Sequence, residues 1–173
     1  MNAFEDLFKH IEHVACRYFK DGKENEEEAN KIRTTLDYQI SMLPLYVQAE
    51  LVETLSNQVS FRNYEEHGYA IIRDIYCEHL LEDMISTAKI KLSNIKSGTY
   101  SPKSIDEKIE SQLVELKNDQ FESFIGAVER YQTPLKMDKE AKARDEFAWK
   151  EVNQLMQKVA LNKKNGVYNE PEL

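Results

Sequence analysis

The chain is poor in the residues that break regular structure: five glycines and four prolines in 173 residues. A collagen-like repeat, which needs glycine at every third position, is excluded. No window approaches the roughly 18 consecutive apolar residues of a membrane-spanning helix. Apolar residues still make up 41% of the chain and aromatics 10%, enough for a buried core and too many for a disordered chain. Cys16 and Cys77 are the only cysteines. They allow one bridge at most, where small secreted domains carry several, so both are expected as thiols. The opening residues Met1 to Asp6 show neither a basic stretch nor an apolar one, so no secretory signal is expected and the location is read as cytoplasmic. Basic charge is also in deficit. Lys and Arg number 23 against 31 Asp and Glu, a formal net charge of −8, which opposes binding to polyanions.

Motifs of chemistry are missing too. There is no Gly-x-Ser-x-Gly elbow and no glycine-rich phosphate loop. None of the four histidines has a glutamate three residues before it, as helical di-iron sites require. His10, His13 and Cys16 recur at three. At ~100° per residue they spread over about a third of a helix's circumference, too wide for one tetrahedral ion. They read as solvated side chains, and His67 and His79 as partly buried ones. No metal, no cofactor and no catalytic residue is expected, although an enzyme without a recognisable motif stays as a third reading. No motif carries a resemblance to a known family.

What is present is helical periodicity. Apolar residues recur at three and four, and no stretch alternates with period two for long. The expected fold is all-α, a six-helix bundle. The first helix spans about 3–20, with Asn2 and Glu5 spaced as a capping box. The second spans about 26–43, with Glu26, Glu27 and Glu28 in its first turn, where the helix dipole favours acid. The third starts near Pro44 and runs to about 60. The fourth covers about 63–96. The fifth opens on a second capping-box pattern, Ser104 and Glu107, and runs to about 132. The sixth covers about 138–164 and stops at Asn165-Gly166, a C-cap signal. Pro44, Pro102 and Pro134 are placed at helix starts. Residues 166–173 are read as a loose tail.

The fourth helix changes face. At ~100° per residue, Tyr64, Gly68, Ile71, Ile72, Ile75 and His79 share one side. Leu81, Met84, Ile85, Ala88, Leu92 and Ile95 fall roughly opposite. No glycine or proline lies at 79–81 to break the chain. The expectation is one long helix linking two packed parts: residues 1–79, with the first three helices, and residues 80–165, with the last two. Charge divides at the same place, net −7 for residues 1–79 and net −1 for residues 80–173.

By exclusion, the expected function is a cytoplasmic protein-binding regulator, inhibitor or adaptor that works by surface complementarity without catalysis. Tyrosine is enriched at interfaces, and there are nine of them. Tyr38, Met42 and Tyr46 fall off the apolar stripes, as do Phe147 and Leu161 on the sixth helix. These five are the candidate protein interface. A second copy of the chain, pairing through residues 81–165, is one expected partner. The alternative is a helical subunit of a nucleoprotein complex. Residues 136–164 carry net +3, and Lys142, Lys150, Lys158, Lys163 and Lys164 would be the contacts. Acid interleaves with them, which an ordinary solvated face with i,i+4 pairs also explains.

Overall fold

A computed structural model describes residues 5–21, 26–58, 63–99, 102–137 and 139–167. Its regular elements are seven helices: α1 (Glu5–Asp21), α2 (Glu26–Ser41), α3 (Leu45–Gln58), α4 (Asn63–Ser97), α5 (Pro102–Val114), α6 (Asn118–Met137) and α7 (Lys139–Lys164). No strand occurs among the described residues. The all-α expectation holds, and among the described residues the helices number seven where six were expected. The chain divides into two compact units, Met1–Leu80 and Leu81–Leu173.

In the first unit, α1 packs on α2. Phe8, Ile11 and Ala15 are buried on one helix, and Ile32, Leu36 and Ile40 on the other. Helix α2 ends in a tight corner. Met42 N–H donates to the Tyr38 carbonyl at 3.2 Å and Leu43 N–H to that of Ile40 at 3.0 Å. Pro44 needs no donor there, and its carbonyl accepts the first helical N–H groups of α3, from Val47 and Gln48. Helix α3 buries Val47, Leu51, Val52 and Leu55. The first half of α4 completes this core with Ile71, Ile72, Ile75 and Tyr76.

Helix α4 runs unbroken through residues 79–81. Beyond that point Leu81, Met84 and Ala88 are buried, Ile85 and Leu92 are half-buried, and Ile95 is exposed. At ~100° per residue Leu81, Met84 and Ala88 lie roughly opposite Ile71, Ile72 and Ile75 around the helix axis. Glycine closes the helix. Gly98 adopts φ +78°, with Thr99 N–H donating to the Asn94 carbonyl at 2.9 Å, the 6→1 bond of a Schellman cap.

In the second unit, α7 packs on both α5 and α6, around Leu113, Phe124, Ala127, Ala148, Val152 and Val159. The helix expected over 104–132 is two helices. Helix α5 begins at Pro102, one turn earlier than the Ser104 pattern implies, and stops at Val114. Helix α6 begins after Lys117, whose N–H donates to Gln120 Oε1 at 3.1 Å, one half of a capping box. Leu116, at the break, is buried. Pro134 lies inside the last turn of α6 rather than at a helix start. There it removes a single helical bond. Helix α7 ends as expected: Gly166 takes φ +72° and Val167 N–H donates to the Asn162 carbonyl at 2.9 Å. Residues 166 and 167 thus belong to an ordered cap. The rest of the expected tail, and Asn2 at the chain start, lie outside the described residues.

Candidate functional site

The α2–α3 corner brings three of the five expected interface residues together within nine residues of chain. Tyr38 is 65% exposed, Met42 67% and Tyr46 73%. Local structure explains why. Ile32, Leu36 and Ile40 claim the inward face of α2, and at ~100° per residue Tyr38 points away from them. Met42 lies one turn further along the same outer side. Tyr46 opens the outer face of α3, which continues with the exposed Glu50, Glu53 and Asn57.

Beneath this corner lies a polar network that the sequence did not reveal. Arg33 Nη2 on α2 donates to both carboxylate oxygens of Glu78 on α4, at 3.1 Å each. One turn along, Asp37 Oδ1 lies 3.2 Å from His79 Nε2. Gln48 on α3 is buried, and its Nε2 donates to the Leu43 carbonyl at 3.0 Å. That fixes the amide, so Oε1 accepts from His79 Nδ1 at 2.9 Å. Both ring nitrogens of His79 are therefore engaged, and neither is presented to a substrate. The arrangement ties α2, α3 and α4 together. His79 was legible as a partly buried histidine; its partners, 31 and 42 residues away, were not.

The second unit contains a cavity of about 230 Å³ between α4, α5 and α7, with apolar walls from Met84, Ala88, Ile109, Val152 and Leu155. Two ion pairs flank it: Lys91–Glu151 at 2.7 Å and Lys158–Glu110 at 3.2 Å. Each charged group there faces its opposite, and the volume is below the ~300 Å³ at which small-molecule sites usually begin.

The remaining expected residues are scattered. Leu161 is 58% exposed, whereas Phe147 is half-buried. Of the lysines, Lys150 and Lys164 are exposed, and the side chain of Lys142 lies outside the described residues. Lys158 holds Glu110. Lys163 is turned inward. Its Nζ donates to the Val114 carbonyl at 3.0 Å and the Leu116 carbonyl at 2.8 Å, and lies 5.6 Å from the centre of the Phe121 ring. Burial lowers its amine below the ordinary lysine pKa. It stabilises the break between α5 and α6 and is not a spare surface cation.

His10 and His13 are exposed, and Gln39 Nε2 donates to His10 Nε2 at 3.4 Å. The side chains of Cys16 and His67 lie outside the described residues, and Cys77 is a buried thiol. Among the described residues no three His, Cys, Asp or Glu side chains gather to hold a metal ion. No helix among them is long and apolar enough to cross a membrane. Comparison with protein families, with curated proteins and with solved structures finds no match for the chain.

Proposed function

We propose that this chain is a protein-binding regulator, inhibitor or adaptor of the cytoplasm that acts through surface complementarity and performs no chemistry of its own. The observation that carries the reading is the exposure of Tyr38, Met42 and Tyr46 on one corner. Tyrosine and methionine are enriched at interfaces, and burying a large apolar side chain is worth roughly 1.5–3 kcal/mol. Three such groups, held on a corner braced by the Arg33–Glu78 and Asp37–His79–Gln48 contacts, form a preorganised patch. Little ordering cost then remains on this side of a complex. The test is cross-linked capture in the native cell by the whole chain and by the triple variant Tyr38→Ala/Met42→Ala/Tyr46→Ala. Glu122→Ala, an exposed change in the second unit, serves as the control. Partners that the control retains and the triple variant loses support the reading. Identical capture by all three removes it.

A second copy of the chain is the other reading, favoured by the exposure of Ile90 and Leu161 in the second unit, 56% and 58%. Its measurement is light scattering at low micromolar concentration, where the monomer mass of 20.3 kDa would exclude it. The nucleic-acid reading loses support from α7, because Lys158 and Lys163 are committed to contacts within the second unit.

A further inference from the structure

We infer that the α2–α3 corner recognises a basic amphipathic protein segment, one that presents apolar anchors between lysines or arginines. The inference rests on the protein-binding reading above and adds the chemistry of the partner.

The argument is one of charge around the apolar patch. Residues 26–58, which build α2, the corner and α3, carry six acidic and two basic side chains, net −4. Both basic groups are engaged within the first unit. Arg33 holds Glu78 at 3.1 Å, and Lys31 lies 3.9 Å from Glu27, one helical turn away. The acids sit where a partner would meet them. Glu50 and Glu53 share the exposed face of α3 with Tyr46. Asp37, with its side chain 46% exposed, neighbours Tyr38. The patch is therefore apolar at its centre and negative at its margins. An apolar centre supplies binding energy and a charged margin selects the partner's sign and speeds encounter.

The same charge disfavours the other occupants. Nucleic acid and anionic lipid surfaces are repelled by a negative margin. A second copy docking through this corner in a two-fold dimer would set the same patch against itself, acid against acid. A helix with an apolar stripe and basic flanks meets both requirements, in the manner of helices that lay an apolar face into a partner's surface.

The probe is a synthetic Leu/Lys/Trp amphipathic peptide about 18 residues long, roughly 27 Å as a helix. The control is the same peptide with every Lys replaced by Glu. Binding to the full chain is followed by anisotropy of the labelled peptide, and circular dichroism confirms that each variant is folded. The expected result is saturable binding of the basic peptide that weakens several-fold between about 50 and about 300 mM salt. Binding should weaken about tenfold in Tyr38→Ala/Met42→Ala/Tyr46→Ala, and by a similar factor in Glu50→Lys/Glu53→Lys. The acidic peptide should not bind. Equal binding of both peptides overturns the inference, as does unchanged affinity in the triple variant.

Cellular capture separates this inference from the reading beneath it. Capture lost in the apolar triple variant but retained in Glu50→Lys/Glu53→Lys leaves protein binding in place and removes the basic partner. Capture retained in both removes the corner as a binding surface altogether.

Discussion

Lys163→Met isolates one contact that joins distant parts of the second unit. The wild-type ammonium bridges the Val114 and Leu116 carbonyls, 3.0 and 2.8 Å away, at the point where α5 has stopped and α6 has not begun. Methionine fills a similar volume with no donor. Hydrogen bonds to charged groups contribute about 1.5–3 kcal/mol each, but this site is half-buried and water can replace part of the loss, so a net destabilisation of about 2 kcal/mol is expected. Trp149, the only tryptophan, lies on α7 in the same unit, and its fluorescence reports on that unit alone. At a urea dependence of ~1–3 kcal/mol per molar, the midpoint should fall by about 1 M. The pH dependence has a definite sign. Burial depresses the folded-state pKa of Lys163, so between the folded and unfolded values the unfolded chain binds more protons. Wild-type stability must then rise relative to Lys163→Met as pH climbs through that alkaline window, and the rise must be absent below it. A variant as stable as wild type, or a stability gap that closes as pH rises, refutes the argument.

Gln48→Leu should destabilise the first unit by about 2 kcal/mol, because it leaves the Leu43 carbonyl and His79 Nδ1 without their partner; urea unfolding followed by circular dichroism measures it, and a neutral result would show that the network does not brace the corner. Phe124→Ala empties a fully buried site in the second unit and should cost about 3–5 kcal/mol, lowering the urea midpoint seen by Trp149 fluorescence. Gly166→Ala places a side chain at φ +72° and should cost about 1 kcal/mol, with faster amide exchange confined to the last turn of α7.

Composition and period were enough for the helical class, because an apolar residue every three or four positions must close into a helix to bury one face. Local signals set several ends as well. Asn165-Gly166 stops α7 because glycine reaches positive φ at little cost, and Pro44 and Pro102 sit where α3 and α5 begin. The exposure of Tyr38, Met42 and Tyr46 was legible for the same reason: with Ile32, Leu36 and Ile40 facing inward, the geometry of α2 sends Tyr38 out.

Other features were decided only by partners far along the chain. The break at residues 115–117 leaves no mark in the period. On one continuous helix Ile109, Leu113, Leu116, Phe121 and Phe124 would still lie within about 140° of each other. The break exists because Leu116 is buried and its carbonyl finds Lys163, 47 residues away. Phe147, expected outside, is half-covered because inward and outward are defined by neighbours on all sides and not by one helix's own stripe. The lysines of α7 gave that segment a net charge of +3 with acid interleaved, yet two of them are spoken for by Glu110 and by the end of α5. A one-dimensional period records which residues prefer to leave water. Only the packed chain decides which polar group, tens of residues distant, arrives to satisfy those that leave with them.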